Sequence, residues 1–215
     1  MKTFVKLSGL TEPEAVKLVP DGGAAGFIID VPGSPRSLSI EAAAALLDSV
    51  PTEAEAWAVV SRPSAELVHR LFDEIGVDRV QVYGPIPDGL EYLEIHHLVP
   101  SLPVPAAGSS DPDPPVPPAD DYVRLHLDLA GDPLGGGSEH RPDWERCARM
   151  VNEQPGRKLV LAGGLTAENV AEALGVVRPW GLDVGRGIER PTGGADPQLI
   201  RAFLAAVKAT ESPPG

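Results

Sequence analysis

The chain lacks the features that tie a protein to an oxidising compartment, a membrane or a nucleic acid. Its 215 residues hold one cysteine, Cys147, so no disulfide can close within the chain. Cys147 sits in WERCARM and reads as a small buried helix residue. No apolar run approaches the roughly 20 residues of a membrane span. The opening MKTFVKLSGL is too short and too interrupted for a signal peptide, so a cytoplasmic location is expected. Positive charge is scarce: Lys+Arg number 18 against 31 Asp+Glu, a formal net charge of −13. Nucleic acid and anionic membrane, which demand a positive surface, are therefore not expected as partners. An anionic small molecule remains open, because a few backbone amides or one arginine hold a phosphate locally. The glycine-rich turns also lack the G-x-G-x-x-G spacing of a dinucleotide fold.

What is present is alternation. Strand-like runs FVKL (4–7), AAGFII (24–29), AWAVV (56–60), RVQVY (79–83), EIHHLV (94–99), YVRLHLDLA (122–130), KLVLAGG (158–164) and GLDVG (181–185) recur along the chain. Helical stretches separate most of them. Thr11, Ser39 and Ser64 stand as N-caps and Gly76 as a helix stop, and TAENVAEALGV (166–176) opens on an imperfect capping box from Thr166 to Asn169. Eight such units predict a single (β/α)₈ barrel over residues 1–210, with a disordered tail at 211–215. One stretch breaks the pattern. Pro100 to Pro118 holds eight prolines, which remove donors and fix φ, so an extended, mobile loop over about 100–119 is expected in place of the fifth helix.

Strand parity then selects the inward side chains, since outward positions must be apolar to meet the helices. In VRLHLDLA the apolar Val123, Leu125, Leu127 and Leu129 face out, which turns Arg124, His126 and Asp128 in. The same parity turns Lys6, Ser8, Gln81, Tyr83, Asp183 and Gly185 inward. Asp128 lies nearest the C-terminal end of its strand, where barrel enzymes keep their chemistry. Two glycine-rich turns, at Gly163–Gly164 and Gly185–Gly187, follow the last two strands, the usual place for a phosphate cradle. A third run, GDPLGGGSEH (131–140), is expected to close over a ligand.

These segments together resemble the phosphoribosylanthranilate isomerase family. VKLSGLTEPEAV is similar to the family's opening VKICGLT, GSPRSLSIEAA to its SPR segment, VDRVQVYG to DxVQLHG, and LAGGLTAENV with GLDVGRGIE to its closing motifs. The Pro-rich middle matches nothing in it. The resemblance implies a barrel that catalyses an Amadori rearrangement of N-(5-phosphoribosyl)anthranilate in tryptophan biosynthesis, with no metal and no cofactor. It makes Asp128 the general acid and Arg36 the partner of the anthranilate carboxylate. Gly163, Gly164, Gly185, Arg186 and Gly187 would hold the phosphate, with Tyr83 and Asp183 completing the substrate-binding set. The expected partner is a phosphorylated small molecule, and the protein a monomer or homodimer.

Departures from the family fall on the chemistry. Ser8 stands where the family has its cysteine base, and a hydroxyl ionises far above a thiol, whose pKa is about 8.5. Tyr83 replaces a histidine, Arg186 enters the phosphate turn, and the loop before RPDW is altered. His126 is a candidate substitute base, set against the plainer reading of a buried lining residue one layer lower. Three functions therefore stand open: the family's isomerase first, a diverged enzyme with another reaction, or a catalytically weak ligand-binding protein.

Overall fold

Residues 2–131 and 141–211 are described in the computed structural model. The eight strands are β1 (Phe4–Ser8), β2 (Ala24–Ile28), β3 (Glu55–Ser61), β4 (Arg79–Tyr83), β5 (Leu98–Val104), β6 (Arg124–Leu129), β7 (Lys158–Leu161) and β8 (Gly181–Val184). They pair in parallel and in chain order, and β8 closes on β1. The helices are α1 (Pro13–Val16), α2 (Ile40–Leu47), α3 (Ala65–Arg70), α4 (Tyr92–His97), α5 (Trp144–Glu153), α6 (Val170–Val177) and α7 (Pro197–Glu211). None of them is long and apolar enough to cross a membrane, among the described residues.

The parity of the strands decides the two cores. Val5, Leu7, Val80, Val82, Leu125, Leu127, Leu182 and Val184 point outward and are buried beneath the helices in one large cluster. Inside the barrel, Phe4, Ala24, Trp57, Val99 and Val160 form an apolar plug near the N-terminal end. Arg124 seals that end. Its guanidinium binds Glu55 through two bonds of 2.5 and 2.9 Å and lies 4.9 Å from the Trp180 ring centre. Above the plug the lining turns polar, so the barrel has a dry floor and a wet mouth.

Several local details follow the chain's chemistry. Ser39 Oγ accepts from Ala42 N, and Ser64 Oγ from Leu67 N, as expected of N-caps. After α3 the helix widens into a π turn over Leu71–Ile75 and stops at Gly76, whose φ is +78°. Thr11 caps nothing: Glu12 occupies the N-cap position of α1, without a side-chain bond. At α6 the helix starts later than expected, and Asn169 pins the preceding turn from both ends. It donates to Gly164 O at 2.8 Å and accepts from Thr166 N at 2.9 Å.

The fifth strand is the main correction. Residues 94–97, expected as strand, end α4, and β5 instead runs through Pro100 and Pro103 to Val104. Proline has lost its donor but not its extended φ or its carbonyl, and both neighbouring strands stay in register with it. The irregular segment thus begins at 105, and residues 105–123 hold neither helix nor strand. It is nonetheless anchored. A proline tract has only carbonyls to offer, and two arginines supply the donors. Arg146 binds Asp111 O and Ser109 O at 2.7 and 2.6 Å, and Arg157 binds Pro117 O, Pro118 O and Tyr122 O at 2.8, 3.1 and 2.9 Å. The run expected to close over a ligand lies, from 132 on, outside the described residues, as does the tail from 212 on; Glu211 still belongs to α7.

Candidate active site at the C-terminal mouth of the barrel

Every candidate site residue except His126 lines one narrow cleft of about 70 Å³ at the strands' C-terminal ends. Ser8, Tyr83, Asp128 and Asp183 reach it from β1, β4, β6 and β8, and Arg36 from the β2–α2 connection. Gly163, Gly164, Gly185, Arg186 and Gly187 form its far rim. A wider cleft of about 860 Å³ opens beside it and shares Tyr83 and Asp128. Pro32, Pro103, Pro114 and Pro115 help wall that second lobe, and Arg62 stands in it. The Pro-rich segment therefore contributes to the mouth, which its sequence alone did not signal.

Asp128 is the acid candidate by geometry. Its Oδ2 accepts from the Tyr83 hydroxyl at 2.7 Å and its Oδ1 from Leu129 N at 2.8 Å. Burial pushes its carboxyl above the ordinary carboxylate range, outweighing the nearness of His126 and the bonds from Tyr83 and Leu129. Tyr83 is pushed up still further, by burial and by the carboxylates of Asp128 and Asp183, and so remains a donor.

The glycines are sterically required. A Cβ on Gly187 would lie 1.9 Å from Leu165 O, so the two rim turns pack backbone to backbone. Gly163 has φ +87°, and a Cβ there would meet Pro142 at 2.7 Å and Asp128 Oδ1 at 3.0 Å. Arg36 is 7% exposed. It lies against Gly9 and Gly185, whose Cβ atoms would sit 2.7 Å from its Cδ and 2.9 Å from its Nη1. It has no carboxylate partner among the described residues, so a buried cation faces the cleft.

Below the mouth lies a closed polar layer that parity placed inside without showing how its members pair. Lys6, with 0% exposure, donates to Asp183 Oδ2 at 2.8 Å and also reaches Ser8 Oγ. His126 Nε2 approaches the same Asp183 oxygen at 2.9 Å. Facing a carboxylate, that nitrogen must carry the proton. The other ring nitrogen, Nδ1, then accepts, with Gln81 Nε2 and Ser101 Oγ each at 3.2 Å. Both nitrogens of His126 are thus engaged and neither lines the cleft, so the expectation of a substitute base there finds no geometric support. Burial alone would raise the Asp183 carboxyl, yet Lys6 and His126 hold it well below its usual range. Burial lowers Lys6, and Asp183 raises it back in part. Sequence reasoning passed over Ser101 because β5 was set too early, and Arg62 because it lies one residue past β3.

A closed barrel with an apolar floor, a buried acid and glycine-built rim turns at its C-terminal mouth defines a (β/α)₈ protein of the enzyme-bearing kind. Residues 5–206 match the family model described as N-(5'phosphoribosyl)anthranilate (PRA) isomerase, and the chain belongs to that family. The N-(5'-phosphoribosyl)anthranilate isomerase of Chelativorans sp. (strain BNC1) is 36% identical over 218 residues, covering 97% of each chain. In fold, the chain resembles the phosphoribosyl anthranilate isomerase of Thermotoga maritima, with a TM-score of 0.74 at 24% identity over 96% of this chain and 99% of that one. It also resembles a phosphoribosyl anthranilate isomerase solved in complex with reduced 1-(o-carboxyphenylamino)-1-deoxyribulose 5-phosphate, with a TM-score of 0.69, 24% identity and the same coverages.

Proposed function

We propose that this chain isomerises N-(5′-phosphoribosyl)anthranilate by an Amadori rearrangement, the chemistry of its family in tryptophan biosynthesis, in the cytoplasm. The observation that carries the reading is Asp128, a buried carboxyl at the divide between two clefts, which burial pushes above the ordinary carboxylate range and so towards its acid form. An acid there gives its proton to the ribose ring oxygen as the C1′–O bond breaks. The anilino nitrogen's lone pair then forms the Schiff base. Loss of the C2′ proton yields an enolamine, and tautomerisation delivers the ketose. The phosphate would rest on the rim turns at Gly163–Gly164 and Gly185–Gly187, beside Arg186. Arg36 would meet a substrate anion, which the family resemblance makes the anthranilate carboxylate. The wider cleft, apolar on its proline side, suits the aromatic ring.

Titration calorimetry with the reduced, non-reacting product analogue tests the pocket apart from turnover. Wild type and Asp128→Asn are expected to bind alike, and Arg36→Ala to bind about 10- to 100-fold more weakly, as loss of a charge-assisted pair at a buried site implies. Absence of binding by wild type would remove the reading. A second reading, a ligand-binding relative without turnover, is favoured only by Ser8 standing in the family's thiol position; it would bind the analogue and leave the substrate unchanged.

A further inference from the structure

The proposed rearrangement needs a group to take the C2′ proton, and a lone serine hydroxyl cannot do so near neutral pH. Ser8, however, is not alone. The Lys6 amine, two residues back on the same face of β1, lies within hydrogen-bond reach of Ser8 Oγ. Its alkyl stem crosses β2 at the position paired with Ser8, where Gly26 offers no side chain. A Cβ on Gly26 would come within 2.8 Å of Ser8 Oγ and 2.9 Å of Lys6 Nζ. That glycine therefore makes room for this contact and for no third group. Ser8 lines the cleft while Lys6 does not, so the amine meets the site only through the Ser8 hydroxyl and the Asp183 carboxylate.

The geometry points to Ser8 and Lys6 working as one proton-accepting pair: Ser8 Oγ takes the C2′ proton and passes its own to Lys6 Nζ. The inference rests on the isomerase reading above. The step balances. The C2′–H electron pair becomes the C1′=C2′ bond, the Schiff-base nitrogen recovers its lone pair, and the ammonium formed on Lys6 pairs with Asp183 at 2.8 Å. Proton return to C1′ by the reverse relay restores the amine, and the C2′ hydroxyl gives up its proton as the C2′=O bond forms, which replaces the proton that Asp128 gave to the ring oxygen. Ser8 is the catalytic residue here; Lys6 acts through it and is a positioning residue that also stores the proton.

The groups that set the charge of Lys6 are all visible. Asp183 on β8 and Asp128 on β6 favour the ammonium, and Arg36 from the β2–α2 connection opposes it. His126 on β6 shares the Asp183 carboxylate and so dilutes its hold on the lysine. On β3 the Trp57 ring lies 5.5 Å away, and β4 turns the neutral Gln81 and Tyr83 into the lumen. Burial works against the ammonium throughout.

The test is turnover as a function of pH for wild type and for Ser8→Ala, Ser8→Cys, Lys6→Met and Lys6→Arg, with Lys6→Met repeated in the Ser8→Cys background. Circular dichroism reports whether each variant folds. Ser8→Ala is expected to lose about 10²-fold or more in kcat with KM little changed, as for a lost general base. Lys6→Met should lose as much in the serine protein and less than about 10-fold in the Ser8→Cys background, because a thiol of pKa about 8.5 reaches the thiolate unaided. Lys6→Arg keeps the cation but cannot release a proton, so it rescues a structural lysine and not this one. Should a Lys6 variant fail to fold, the acidic limb of kcat decides: it is expected to move between wild type and Ser8→Cys. Ser8→Ala within twofold of wild type, rescue by Lys6→Arg, or an unmoved limb would overturn the pair. Those results leave the isomerase reading intact if Asp128→Asn still abolishes turnover. Turnover by Ser8→Cys with none by wild type also overturns the pair alone, whereas silence from both overturns the pair and the reading together.

Discussion

Replacing Asp183 by alanine strikes the one carboxylate that organises the polar layer. Its Oδ2 receives Lys6 Nζ at 2.8 Å and His126 Nε2 at 2.9 Å, both from side chains with 0% exposure. Removing it leaves two buried donors without their acceptor, at a cost of about 1–3 kcal/mol each. Two hydrogen bonds to a charged group, at about 1.5–3 kcal/mol each, lead to the same range. Asp183 also borders the open cleft, so water can enter the gap, and the lower end, near about 3 kcal/mol, is expected. A domain of this size is stable by about 5–15 kcal/mol, so the variant should fold. Its Tm should fall by about 6–12 °C. Asp183→Asn, whose amide oxygen still accepts one donor, should lose about half as much.

The pH dependence carries a sign. In Asp183→Ala, Lys6 loses the charge that had raised it, so its folded pKa drops further below the unfolded value of about 10.4. Between those values the unfolded chain binds more protons, and stability rises with pH. The deficit against wild type should therefore shrink as pH rises towards the unfolded lysine value. At the acid end, the depressed Asp183 contributes stability that is present above the ordinary carboxylate pKa and is lost as pH falls through its folded value. Urea unfolding at neutral, alkaline and acid pH measures this. A loss under about 1 kcal/mol with unchanged m, or an equal deficit at neutral and alkaline pH, would refute the reasoning.

Other expectations follow from the rim and the acid. Gly187→Ala would set a methyl 1.9 Å from Leu165 O, so stability should fall by about 1–3 kcal/mol and analogue affinity by tenfold or more; unchanged binding would contradict the packed-turn account. Gly175→Ala, in α6 with open space around it, is the opposite case and should stabilise by about 0.5–1 kcal/mol in the same unfolding assay. Asp128 must be protonated to act, so kcat/KM should decline on the alkaline side of its raised pKa. The Tyr83 hydroxyl lowers that pKa, so Tyr83→Phe should move the alkaline limb to higher pH; a limb that moves down would contradict it.

The barrel and most of its mouth were legible because outward strand positions must be apolar, which leaves the inward set by elimination. That logic reached Lys6, Ser8, Tyr83, His126, Asp128 and Asp183 without knowledge of any pairing. It failed at β5 because proline was read only as a breaker. In a barrel strand Pro100 and Pro103 keep their carbonyls and extended φ, and Ser101 between them turns into the lumen opposite His126. Partnerships across the barrel were also hidden. Lys6 and Asp183 are 177 residues apart, and only the β1–β8 register brings them opposite. His126 was open to two readings, a substitute base or a buried lining residue one layer lower, because the sequence shows a ring and not what each nitrogen touches. The anchoring of the Pro-rich segment was invisible for the same reason, since Arg146 and Arg157 bind its backbone carbonyls.

The most direct measurement generates N-(5′-phosphoribosyl)anthranilate in situ and follows the loss of its fluorescence with wild type and Asp128→Asn. Turnover by wild type, with kcat reduced about 10²- to 10⁴-fold in Asp128→Asn and the fold unchanged, is the expected result. Wild-type turnover that survives Asp128→Asn, or no turnover by either wild type or Ser8→Cys, would contradict the account.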